Sequence, residues 1–254
     1  MVKRYYFPEG IDEHYFLLRK GGFVPLRSSL NLEQSFVGIC EMILHDVGAL
    51  YWKPHCQNYR EKFGAWCYRR VRGILKQAVK DITRTALTRK GAVKKIYDYV
   101  ANNIRYSDTI GFDYPRFPLE TLIHGIGDCE DKSMLLAALL KLAGFQVAMT
   151  YIDDEKHDFC HAFCFINAKR WFKDEEKLWK LDHYPKHGYA WLPLDPTFNH
   201  NLGEEPSWIK KHRYQDKIPF THELIIEYSR VKARGYRVKY KPSHKRKKTV
   251  YKAR

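Results

Sequence analysis

The sequence predicts an α+β fold in which a buried helix packs on an antiparallel sheet. Two observations carry this. Residues 134–144 are apolar nearly all the way round, and a helix with that composition belongs inside a fold rather than on its surface. Strand-like runs follow at 145–152, 160–166 and 189–197, separated by a polar turn (153–158) and a charged, Trp-containing segment (169–180). A helix followed by strands joined by turns implies an antiparallel sheet with helices gathered on it.

At 254 residues the chain is long enough for one sizeable domain with embellishments, or two small ones. Residues 1–30 are punctuated by Pro8, Gly10, Gly21, Gly22 and Pro25, and read as an irregular arm. Leu32, Phe36, Ile39, Cys40 and Ile43 recur at helical spacing, so a helix is expected over 32–50. A break follows at Trp52-Lys53-Pro54-His55, and helix resumes over 58–89, weakened at Gly64 and Gly73. The polar face of that segment carries Arg69, Arg70, Arg72, Lys76, Lys80, Arg84, Arg89 and Lys90, and is read as solvated rather than anion-binding. Ile96, Tyr97, Val100 and Ile104 mark one side of a helix from 93 to 104, started by Gly91. An aromatic loop (112–118), a helical turn (119–124) and a Gly125-Ile126-Gly127 hinge lead into the apolar helix. Residues 1–88 are thus expected to form an arm and helical extension, 89–230 the main domain, and 231–254 a basic flexible tail.

The formal charge is +16, but eleven of those charges lie in residues 231–254, which contain no acid. The basicity is a property of the tail, where Lys245, Arg246, Lys247 and Lys248 form its densest run. Tyr236, Tyr240 and Tyr251 interleave with the cations, which suits contact with nucleic acid or another polyanion; a disordered solubilising tail is at least as well supported by its composition. Met1-Val2-Lys3-Arg4 leads into no apolar run, so no secretory signal is read, and a cytoplasmic, reducing setting with free thiols is expected for the six cysteines. No run is long enough to span a membrane. Zinc-ligand spacing and calcium-binding loop patterns are absent, so no cofactor or metal is called for.

The chemistry is expected at Gly127-Asp128-Cys129-Glu130-Asp131-Lys132-Ser133. Asp128 suits the N-cap, and Asp131 adds negative charge at the positive end of the helix dipole. Cys129 then stands at the first helical position, where the dipole and unpaired amides are expected to lower its pKa and expose a thiolate. Those amides can also stabilise an oxyanion. From this stretch alone, a thiol nucleophile and a small buried hydrophobe beneath a helix cap remain equally open. His161 begins the second strand and Asp195 ends the third. If those strands pair, thiol, imidazole and carboxylate meet at one end of the sheet as a nucleophile relay. Strand alternation puts His161, Phe163 and Phe165 on one face and Cys160, Ala162 and Cys164 on the other, which sets Cys160 aside as nucleophile.

With these residues in this order, the sequence resembles the transglutaminase-like superfamily of papain-fold cysteine enzymes. The matching segments are the helix ending Ile104-Arg105-Tyr106, the Asp128-Cys129 segment with its Leu/Ala helix and Gly144, the His161-Ala162-Phe163 strand, and Trp191-Leu192-Pro193-Leu194-Asp195-Pro196-Thr197. They span 89–200. The resemblance implies a papain-like core with Cys129 as nucleophile, His161 as general base and then acid, and Asp195 as the orienting carboxylate. It further implies a thioester acyl-enzyme. The expected activity is hydrolysis of peptide or amide bonds. Transfer of a glutamine acyl group to an amine by the same triad is the alternative, as is a non-catalytic polyanion-binding protein on this fold. Tyr106 reads as a packing residue rather than a second oxyanion donor, leaving the Cys129 backbone N–H in that role.

Overall fold

The computed structural model describes residues 4–9, 39–40, 42–47, 64–107, 115–154, 159–168, 170–173, 177–178, 190–198, 200–205, 222–226 and 241–242. Residues 39–40 and 42–46 are helical and bury Ile39, Cys40, Met42, Ile43 and Leu44. Helix α1 spans Gly64–Thr83 and turns Cys67, Val71, Leu75 and Ala78 inward at helical spacing. It stops short of the expected residue 89. Thr83 folds its hydroxyl back onto the Val79 carbonyl at 2.7 Å, and Thr88 takes up an extended backbone. The Thr88 side chain accepts from the Gly91 N–H at 3.0 Å, so it caps the next helix rather than extending the last. Helix α2 therefore begins at Arg89 and runs to Asn103, four residues before the expected start at 93.

Strand β1 (Arg105–Tyr106) pairs in parallel with β2 (Ile126–Gly127), which immediately precedes Asp128 and the buried helix. Between them, α3 (Pro118–His124) begins with proline in its first turn and ends at Gly125 with φ 67°, a left-handed conformation that glycine adopts without penalty. Helix α4 (Cys129–Leu142) follows. Every residue from Glu130 to Lys141 is buried; the apolar run from Met134 predicts this, while the burial of Glu130, Asp131 and Lys132 in the first turn was not expected.

The sheet has five strands in the order β5-β4-β3-β6-β7, each pair antiparallel. Strands β3 (Val147–Asp154), β4 (Phe159–Asn167) and β5 (Trp191–Leu194) are the three runs expected. Strands β6 (His222–Ile226) and β7 (Lys241–Pro242) were not expected; β6 lies against β3, and β7 falls within the basic tail. Alternation divides the sheet. Val147, Met149, Ala162, Cys164, Ile166, Leu192 and Leu194 join one core with α1, α2 and α4. On the other face His161, Phe163 and Phe165 line up, with ring centroids 5.9 and 5.2 Å apart in succession. That is the division strand periodicity predicts.

Candidate active site

Asp128 caps α4, its side chain accepting from the Glu130 and Asp131 backbone N–H groups. The Cys129 N–H is not among the amides the cap takes. This places Cys129 as the first helical residue, half-buried, at the mouth of α4. The helix meets β4 at one residue. Ser133 Oγ donates to the Ala162 carbonyl at 3.0 Å, and one turn earlier the Ala162 N–H points at the Cys129 sulfur. Cys129 therefore abuts the backbone adjoining His161.

His161 and Asp195 are brought together by register. Cys164 lies opposite Leu194, so continuing the ladder sets Asp195 across from Phe163, one diagonal step from His161 on the same face. His161 Nε2 lies 2.7 Å from Asp195 Oδ2, with both side chains buried. The other carboxylate oxygen, Oδ1, accepts from the Thr197 N–H at 3.0 Å and from its hydroxyl at 2.5 Å. This local turn fixes the carboxylate just after β5. The Tyr97 hydroxyl on α2 lies 2.9 Å from the Asp195 carbonyl oxygen and 2.8 Å from that of Phe198, tying the same turn to the helical layer.

One electrostatic expectation fails. The Cys129 pKa is raised well above the ordinary thiol value, not lowered. Burial of the sulfur contributes most, followed by the Asp128 carboxylate; Glu130 and Asp195 add to it, and the Ala162 N–H opposes it. The half-charge of a helix terminus does not outweigh desolvation plus three nearby carboxylates. Cys129 therefore keeps its proton at rest. Tyr106 is a second correction: it is 46% exposed, so it is no packing residue.

Two further residues carry roles the sequence reading gave otherwise or not at all. Asp131 is buried and bound to Arg116 rather than decorating the helix dipole; burial and Asp128 push its carboxyl up, while the Arg116 contacts pull it back. Lys132 is buried and donates to the Ile104 and Ala101 carbonyls at the C-terminal end of α2, at 2.8 and 3.3 Å. Ser133 was within reach of sequence reasoning, since it lies one turn beyond Cys129 on the same helix face. Cys40, Cys67, Cys129 and Cys164 are free thiols, and burial pushes Cys67 up to about 11. Cys56 and the cations Lys245, Arg246, Lys247 and Lys248 lie outside the described residues. No group of three or more metal-ligating side chains occurs among the described residues, and no described helix is long and apolar enough to cross a membrane.

Residues 76–196 match the family model of the transglutaminase-like superfamily. Over those residues, just under half of the chain, the sequence is similar to the transglutaminase-like core. The match runs from within α1 to just past Asp195, and so takes in the mouth of α4 and strands β3 to β5. Among solved structures, a candidate cysteine protease from Cytophaga hutchinsonii aligns at 14% identity and TM-score 0.36, over 71% of this chain and 47% of that one. LapG of Legionella pneumophila, in its calcium-bound form, aligns at 17% identity and TM-score 0.37, over 66% of this chain and 80% of that one. This chain thus spans about half the length of the Cytophaga protein. No curated protein matches the sequence. The superfamily match, not these distant likenesses, bears on the fold.

Proposed function

We propose that the protein is a cysteine hydrolase of peptide or amide bonds, with Cys129 as nucleophile, His161 as general base and acid, and Asp195 as its orienting carboxylate. The observation that supports this most is the buried 2.7 Å contact between His161 and Asp195, beside the Ala162 backbone against which Cys129 rests. With Nε2–H donated to Asp195, the imidazole lone pair sits on Nδ1. The raised thiol pKa means that deprotonation accompanies attack. Nδ1 takes the Sγ proton as sulfur bonds to the substrate carbonyl carbon, and the oxyanion is met by the Cys129 N–H. The C–N bond breaks, the imidazolium gives its proton to the leaving amine, and a thioester remains. Water then attacks the thioester carbon while Nδ1 accepts a water proton. The C–S bond breaks and that proton returns to sulfur.

The test is turnover of a peptide amide by the full chain and by Cys129→Ala, with folding followed by circular dichroism. The reading expects turnover to vanish while the folded signal persists. Undiminished cleavage by the variant would rule it out. Product masses decide the acyl acceptor: addition of water supports hydrolysis, and an amine adduct in the presence of excess primary amine marks acyl transfer instead.

A further inference from the structure

The first turn of α4 is pinned by groups that the proposed chemistry does not use. Towards the sheet, Ser133 holds Ala162. On the α3 side, Asp131 is 0% exposed and both its oxygens are engaged. Oδ1 accepts the Arg116 backbone N–H at 2.7 Å, and Oδ2 accepts the Arg116 guanidinium at 2.6 Å. Arg116 is itself anchored through its neighbours. Glu120 accepts the Phe117 N–H at 2.9 Å, and Asp46 accepts the Leu119 N–H at 2.8 Å. Behind the cap, Gly127 comes so close that a Cβ there would stand 2.6 Å from the Asp131 Cβ. Only glycine leaves room for the carboxylate to sit between Gly127 and Arg116.

Cys129 lies two residues before Asp131 in that turn, so its sulfur and its amide go where the turn goes. From this arrangement we infer that Asp131 is a positioning residue: through Arg116 it holds the first turn of α4, and with it the Cys129 sulfur and N–H, against β4. The inference rests on Cys129 being the nucleophile. A purely electrostatic role for the same ion pair predicts a different outcome, and the two are separable by sign. Replacing Asp131 with asparagine removes a negative charge and leaves the guanidinium, which on electrostatic grounds alone favours the thiolate and speeds its alkylation. Loss of positioning slows the reaction instead.

The experiment measures iodoacetamide alkylation of Cys129 in the full chain by peptide mass spectrometry, with the rate constant expressed per folded molecule. Positioning expects Asp131→Asn, and the charge-balanced double variant Asp131→Asn with Arg116→Met, to react about tenfold more slowly, the order of loss that a small misplacement of a reacting group produces. Rates equal to or above wild type in either variant overturn the inference. Should the double variant not fold, Asp131→Asn alone decides, since there the two roles predict opposite signs: slowing supports positioning, and a rate equal to or above wild type overturns it. Wild-type Cys129 that reacts no faster than the buried Cys164 would sink the nucleophile reading itself. A reactive wild-type Cys129 with unaffected variants sinks only the positioning role.

Discussion

Replacing Asp195 with asparagine is expected to abolish most of the activity while sparing the fold. Asp195 accepts three contacts: His161 Nε2 on Oδ2, and the Thr197 N–H and hydroxyl on Oδ1. An asparagine has one oxygen to offer, and the two Thr197 donors hold that oxygen in the Oδ1 position. Its NH₂ group then faces His161 Nε2 and donates to it. Nε2 becomes the acceptor, the ring proton moves to Nδ1, and Nδ1 can no longer take the thiol proton. A tautomer reversal of this kind costs about 10⁴ in kcat in a hydrolytic triad, or about 5.5 kcal/mol of transition-state stabilisation. The stability cost is that of one buried charge-assisted hydrogen bond, about 1.5–3 kcal/mol. Steady-state turnover of a peptide amide, alongside urea denaturation of the same preparations, separates the two quantities. A loss of less than about tenfold in kcat would show that His161 does not need Asp195 for its tautomer, and would refute the relay.

Two other outcomes follow from burial. Alkylation of Cys129 should accelerate about tenfold per pH unit from pH 6 through 9, because the raised thiol pKa keeps the thiolate scarce throughout that range; a plateau reached by pH 7 would show a preformed thiolate–imidazolium pair instead. Lys141 is 2% exposed, and burial lowers its pKa from 10.5 to about 8. Below pH 8 both folded and unfolded chains hold its proton, and the folded state carries a penalty of about 3 kcal/mol at about 1.4 kcal/mol per pH unit of displacement. Between pH 8 and 10.5 the unfolded chain binds more protons, so the stability owed to this group rises with pH and is lost again as pH falls. Lys141→Met should therefore be more stable than wild type at pH 7.5 by roughly 1–3 kcal/mol, with the gap closing by pH 10.5; urea midpoints at the two pH values check this, and a gap that widens with pH would contradict it.

The legible parts of the site were those written in local pattern. Asp128 before an apolar run signals a cap, and the cap puts Cys129 first in its helix. Alternation along residues 160–166 fixes which side chains share a face with His161. The misread parts depend on contacts distant in sequence. Arg116 meets Asp131 across a loop and a helix, and nothing local to Asp131 marks it for burial rather than solvent. Nothing local marks Lys132 for burial either, yet its stem runs through the interior to reach the end of α2. Strand β6 joins β3 from some seventy residues away, and its five residues carry too weak an alternation to announce themselves. The thiol pKa failed for a different reason. Desolvation of the sulfur and the neighbouring Asp128 and Glu130 carboxylates outweigh the helix dipole.

The placement of His161 and Asp195 also ties the site to the core. Their contact requires that Cys164 stand opposite Leu194, because only then does Asp195 follow onto the face that carries His161 and Phe163. Cys164 and Leu194 are both buried against the helices, and the Cys164 thiol donates to the Leu194 carbonyl at 3.6 Å. A slip of one residue between β4 and β5 would turn the apolar set of β5 away from the helices and put Asp195 on the opposite face from the imidazole in one step. The same slip would set the larger Trp191 and the smaller Pro193 at the helix-facing positions of Leu192 and Leu194, a misfit in a close-packed core. Packing of the leucines against the helices thus enforces the register that the polar pair on the other face needs. This is why a reading based on apolar alternation could locate an imidazole–carboxylate contact that no local motif encodes.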